Sequence, residues 1–205
     1  MQYETDPATI EAKSMAIIEE QLKSHSYNEA ELAVVKRMIH TSGDVDYQEI
    51  IAIKPGAVQA GIDSIKNGCT IVTDTKMALA GINKKVLAAK ACKIDNYVTH
   101  ESVVELAKSK GITRSMAAID FAVEQEVEMF VIGNAPTALF RLGELFEAGK
   151  TYPKLIIGVP VGFVGAAESK EYIRTLNIPS ITTIGKKGGS NIAASVLNAL
   201  LYQLD

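Results

Sequence analysis

The sequence predicts an α/β fold: an open, mostly parallel sheet with helices on both faces, preceded by two helices. Three observations carry this. From about residue 49 onward, short apolar runs alternate with helix-patterned stretches, the order of strand–helix units. Most of those runs are continuously apolar, as strands covered on both faces are. Prolines fall where helices should open and glycines where they should close.

Residues 8–23 read as an amphipathic helix, with Ile10, Ser14, Ile17, Ile18 and Leu22 near one face. A second helix is expected from Asn28 to Ile39, with Asn28 as N-cap and Glu29 and Glu31 in the first turn. It should stop at the turn residues Thr41-Ser42-Gly43-Asp44. The candidate strands are 49–53, 69–73, 128–132, 154–159 and 180–184, with a weaker one near 91–95. Between them, helices are expected over 55–66, 99–110, 113–126, 136–148, 166–176 and 189–202. Pro55 and Pro136 suit first-turn positions, and Gly111 and Gly149 suit C-terminal caps. No repeat, linker or low-complexity tract interrupts the chain, so one domain over 1–205 is expected.

The chain has 205 residues, 21 basic and 24 acidic, for a net charge of −3. That balance argues against a general nucleic-acid binder, which needs a basic surface. A hydrophobic fraction of 47% excludes a disordered chain. No apolar run approaches the roughly 20 residues of a membrane helix. The start, Met1-Gln2-Tyr3-Glu4-Thr5-Asp6-Pro7, has no basic region followed by an apolar stretch, so a cytoplasmic protein is expected. Cys69 and Cys92 fit neither a disulfide framework nor a zinc spacing, and read as reduced thiols.

Ligands of open parallel sheets bind outside the carboxyl ends of the strands. Three candidate strands lead there into glycine-containing turns that open helices: Gly133-Asn134-Ala135-Pro136, the segment from Gly158 through Gly162 to Gly165, and Gly185-Lys186-Lys187-Gly188-Gly189-Ser190. Such turns can present N–H groups and a helix dipole to carboxylates or phosphates. They also occur simply as tight connections. Nucleotide fingerprints are missing: Gly158, Gly162 and Gly165 are wrongly spaced for a dinucleotide site, and there is no P-loop.

Of the three histidines, His25 and His100 fall in polar stretches, whereas His40 ends an apolar helix. The negative end of the helix dipole suits a group that handles protons. The plainer alternative is a histidine that only caps the helix. Arg37 lies three residues earlier, near the same face, where a guanidinium can hold an acid bidentately. Ser14 is either a buried hydroxyl or a ligand contact. Arg114 begins a helix, where the dipole disfavours a cation, which hints at an anionic partner. Lys186 and Lys187 add charge to the last glycine turn, and Asp44 and Asp46 read as turn formers. No metal-site spacing or nucleophile elbow is present.

These residues stand in a longer pattern. It includes Asp6-Pro7-x-x-Ile10-x-x-x-Ser14-x-x-Ile17-Ile18, Val35-x-Arg37-Met38-Ile39-His40-x-x-Gly43-Asp44 and Thr73-Asp74-Thr75-x-Met77-x-x-x-Gly81-Ile82. It continues in Thr113-Arg114-Ser115, Ile132-Gly133-Asn134-Ala135-Pro136-Thr137-Ala138-Leu139, and the unbroken run from Gly158 to Lys170. Over nearly its whole length the chain resembles the precorrin-8X methylmutase family, which includes cobalt-precorrin-8 methylmutases. The resemblance implies a homodimer with a Rossmann-like sheet. It also implies an isomerase of cobalamin biosynthesis that moves the C-11 methyl group of the corrin precursor to C-12, giving hydrogenobyrinate or cobyrinate.

The family's catalytic histidine falls on His40, and its substrate-contacting serine and arginine fall on Ser14 and Arg37; Arg114 matches a position near the ligand. With Thr41, Gly133, Asn134, Gly162, Lys186, Gly188 and Gly189, these form the expected substrate-binding set for a polycarboxylate tetrapyrrole. No cofactor is expected, since any cobalt arrives inside the ring, and neither nucleic acid nor membrane is an expected partner. One departure stands out: Lys186 replaces an expected arginine, keeping the charge but losing the planar fork. The rival readings are a corrinoid carrier without turnover and a nucleotide-dependent α/β enzyme.

Overall fold

The computed structural model describes residues 3–204. The chain opens with helix α1, Pro7–Gln21, capped by the Asp6 carboxylate, and α2, Glu29–Ser42. Asn28 and Glu31 form a reciprocal capping box at the start of α2. The helix runs three residues past the expected stop, to Gly43, which ends it in the left-handed conformation at φ 66°. His40 therefore lies in the last turn.

A single helical turn, α3 (Tyr47–Ile50), precedes β1 (Ile51–Ile53), so the first half of the expected strand is helical. Pro55 stands outside its helix. Lys54-Pro55-Gly56-Ala57 is a hydrogen-bonded turn with Gly56 at φ 78°, and α4 begins after it, over Ala57–Lys66. Next come β2 (Thr70–Thr73), two six-residue helices α5 (Lys76–Gly81) and α6 (Lys84–Ala89), and β3 (Lys93–Asp95). The remainder alternates as expected: α7 (Glu101–Lys110), α8 (Arg114–Glu124), β4 (Met129–Ile132), α9 (Pro136–Glu147), β5 (Leu155–Gly158), α10 (Ala166–Thr175), β6 (Ser180–Thr183) and α11 (Ser190–Leu201).

Among the described residues, six strands form one sheet in the order β1-β6-β5-β4-β2-β3. All neighbours are parallel except the edge pair β1–β6, where Ile51 faces Thr183. Successive residues of the central strands enter opposite cores. Ile71, Met129, Val131, Leu155 and Ile157 pack with α2, α4 and α11; Val72, Phe130, Ile132 and Ile156 pack with α8, α9 and α10. This is why the strands read as unbroken apolar runs.

Helix α11 is buried along most of its length, because α2 covers it with Val34, Val35, Met38 and Ile39. The N-terminal helices are thus an outer layer that carries His40, rather than an appendage. Ion pairs Lys36–Glu19 and Arg37–Glu11, both 2.9 Å, link α2 to α1. No helix among the described residues is long and apolar enough to cross a membrane.

Candidate active site

Because β2, β4, β5 and β6 are mutually parallel, the turns after them share the carboxyl edge of the sheet. The turn after β4 does not await a ligand anion. The Asp74 carboxylate, directly after β2, already fills it, accepting from the backbone N–H groups of Gly133 (3.0 Å), Asn134 (2.8 Å) and Ala135 (2.7 Å). Burial pushes the Asp74 carboxyl above its ordinary range, and the three N–H groups pull against that rise.

Other expected donors are also engaged inside the protein. Gly162 N–H donates to the Lys186 carbonyl (3.2 Å), and Gly189 N–H to the Val159 carbonyl (2.9 Å). A Cβ on Gly133 would lie 2.6 Å from the Ser190 Cα, and one on Gly188 would lie 2.1 Å from the Val159 oxygen. The glycines read as a ligand cradle therefore serve first to let the turns pack backbone against backbone.

The starts of α10 and α11 are open. Each has a glycine N-cap, Gly165 and Gly189, so no capping side chain hydrogen-bonds its first-turn N–H groups. Around them the turns expose apolar side chains: Phe163 is 86% exposed, Val164 89% and Met77 72%, and Val161 and Ile184 are also exposed. Lys186 extends over the Phe163 ring, 5.0 Å from its centroid, and forms no ion pair among the described residues. Open N–H groups, a free cation and bare apolar surface together suit a ligand with a large apolar body and a carboxylate fringe.

The buried face of α2 fixes the position of His40, one residue beyond Ile39 and exposed to solvent. Its ring carries no hydrogen bond among the described residues. It lines a depression of about 270 Å³ together with Ser14, Ile17 and Val45. Ser14 Oγ donates to the Ile10 carbonyl at 2.8 Å, which leaves its lone pairs able to accept. Thr41 is exposed beside His40.

Arg37, expected as a free clamp, is engaged: it pairs with Glu11 at 2.9 Å and lies 5.0 Å over the Tyr202 ring. Glu11 is more than half exposed, so this pair is weak and exchangeable for a ligand carboxylate.

Lys187 joins the two regions. Its ammonium contacts Asp44 Oδ2 at 2.5 Å and Asp46 Oδ2 at 3.1 Å, tying the β6–α11 turn to the turn that follows His40. That contact holds the Asp44 carboxyl below the usual carboxylate range. Farther along the edge, Asn134 is exposed. Arg114 is also exposed, with no carboxylate partner among the described residues. The Thr113–Thr137 hydroxyl contact, 3.2 Å, sets the start of its helix against that of α9.

The structure thus groups Ser14, His40 and Thr41 on the helical layer, with Lys187 connecting them to the turn that carries Lys186. Sequence reasoning missed the part played by Asp74, whose signals were an acidic residue directly after a strand and its place in the Thr73-Asp74-Thr75 motif. A separate depression of about 510 Å³, bordered by Cys69, Glu128 and Tyr152, lies at the opposite edge of the sheet. Among the described residues no cluster of three or more His, Cys, Asp or Glu is placed to hold a metal ion.

Residues 9–203 match the family model described as precorrin-8X methylmutase. The cobalt-precorrin-8 methylmutase of Salmonella typhimurium is 45% identical across 100% of this chain and 99% of its own length. That of Leptospira interrogans is 44% identical across 94% and 91%. The crystal structure of precorrin-8X methylmutase from Thermus thermophilus superposes with a TM-score of 0.89 at 34% identity, covering 96% of each chain. A match that spans both the helical layer carrying His40 and the whole sheet establishes that the chain belongs to the precorrin-8X methylmutase family.

Proposed function

We propose that the chain is an isomerase of corrin-ring biosynthesis that moves the C-11 methyl group of cobalt-precorrin-8 to C-12, giving cobyrinate. The observation that carries this reading is His40: exposed, without a hydrogen bond among the described residues, and beside Ser14, within a family of methylmutases. The cobalt form of the substrate rests on the Salmonella and Leptospira relatives, both cobalt-precorrin-8 methylmutases. The cobalt is part of the substrate ring. The working form is a homodimer in the cytoplasm.

In this reaction one carbon–carbon bond breaks at C-11 and one forms at C-12, and no atoms are gained or lost. The chain's contribution is to bind the ring in one pucker and to stabilise the charge that develops during migration. His40 holds or donates a proton at a ring nitrogen, which makes the migration terminus more electrophilic. Ser14 and Thr41 contact the ring beside it. Arg37, exchanging Glu11 for a substrate carboxylate, joins Arg114, Lys186, Asn134 and the open start of α11 around the fringe. Gly133, Gly162, Gly188 and Gly189 support these contacts by keeping the turns close-packed.

The test follows the visible spectrum of cobalt-precorrin-8, and of cobalt-free precorrin-8X in parallel, with the unmodified chain and with His40→Ala. Conversion to the corrin spectrum by the unmodified chain, with a loss of about 100-fold or more in His40→Ala, is the expected result. Full turnover by His40→Ala would remove the proton role. Binding without conversion of either substrate would leave a carrier.

A further inference from the structure

We infer that Lys170 is a positioning residue of this site, acting through Lys187 on the turn that closes the His40 helix. The inference rests on the proposed role of His40 and extends it to residues that do not touch the ring.

Lys170 lies on α10 and is completely buried. A buried lysine is costly unless a carboxylate pairs with it, and among the described residues none does. Burial first, and repulsion from Arg174, a charge of the same sign, second, lower the Lys170 ammonium to about 8. Stability alone would favour an apolar side chain here. Its contacts show a different use. Nζ donates to Thr183 Oγ1 at 3.0 Å and to the Lys187 carbonyl at 2.9 Å. Thr183 Oγ1 donates to the same carbonyl at 2.7 Å. Two donors from the core thus fix one peptide of the β6–α11 turn.

The residue that owns this peptide reaches the other way. The Lys187 ammonium grips Asp44 and Asp46, four and six residues beyond His40. These exposed ion pairs add little stability, but they set distance and angle. Lys170 holds the carbonyl of Lys187 from inside, and the side chain of Lys187 holds the end of α2 from outside. The sheet edge that receives the ring and the helix that carries the histidine are thereby kept in one fixed relation. A displacement of about 1 Å between a catalytic group and its substrate costs on the order of 100-fold in rate.

The test is a double-mutant cycle with Lys170→Met and Lys187→Met, read as kcat and KM with cobalt-precorrin-8 and as the urea midpoint. Each single variant is expected to lower kcat by roughly 10- to 100-fold with KM within about threefold. The double variant should be no slower than the worse single, because both break the same link. The midpoint of Lys170→Met should not fall. Multiplying losses in the double variant, an unchanged kcat in either single variant, or a Lys170→Met loss explained by a lower midpoint would each overturn the inference.

If Lys170→Met does not fold, Lys187→Met decides alone. Its kcat must fall while exchange of the Asp46 amide, bonded to Asp44 Oδ1 at 3.0 Å, speeds up. If the unmodified chain turns over neither substrate, the proposed reaction has failed. The bracket is then judged separately by amide exchange at Asp46 and Gly162. Faster exchange in both variants supports it, and unchanged exchange rejects it.

Discussion

Partners, not burial, separate two neighbouring lysines that are both exposed. Lys186 lies over Phe163 with no ion pair among the described residues, whereas Lys187 grips two aspartates. Lys170, a third, is sealed in the core with its folded-state value lowered from 10.5 to about 8. Below about pH 8 both the folded and unfolded chains hold this proton, and the penalty for burying the charge is fully present. Between about 8 and 10.5 the unfolded chain binds more protons at this position, so the stability contributed here rises with pH. The urea midpoint of the unmodified chain should therefore gain on that of Lys170→Met between about pH 7.5 and about pH 9.5. A constant difference would mean that the folded Lys170 titrates near its ordinary value.

Turn chemistry decides the elements that bear on function. The β2–α5 junction places Asp74 under the start of α9, where it takes the three N–H groups a ligand was expected to meet. Asp74→Asn keeps the size but turns an amide NH2 toward donors, leaving at least one N–H unpaired. The expected cost is roughly 1–3 kcal/mol, read as a lower urea midpoint; an unchanged midpoint would show that the carboxylate is not what orders this turn. The strands were legible because short apolar runs, bounded by turn residues and alternating with helix-patterned stretches, fit strands covered on both faces. Helix α2 was legible through Asn28 and Glu31, which do form their capping box. Helices α5 and α6 were missed because six residues show too little of a 3.6 period, although Thr75 and Asn83 cap them. The antiparallel direction of β1 has no local signature at all, since either direction accepts the same side chains.

At the scale of the whole molecule, the exposed Val161, Phe163, Val164 and Met77 on the carboxyl edge are the kind of apolar surface that a ligand or a second subunit covers. A homodimer is expected to sediment near twice 22.0 kDa at micromolar concentration; a single 22.0 kDa species there would reject it. His40, Ser14, Arg37 and Arg114 were singled out from helix ends, faces and the ordered motifs around them, and the structure brings His40 and Ser14 into one depression. The strand–helix alternation, the Asn28 cap, the family resemblance and the candidate residue types for handling protons and anions are legible along the chain. These follow from periodicity and from side-chain chemistry that acts within a few residues. Three-dimensional packing alone settles which N–H groups stay open, that Asp74 fills one helix start, that Arg37 is held by Glu11, and that Lys187 bridges the β6–α11 turn and the end of α2. Each of those is a contact between residues far apart in the chain, and a pattern read along the chain carries no information about which distant partner will satisfy a donor or a charge.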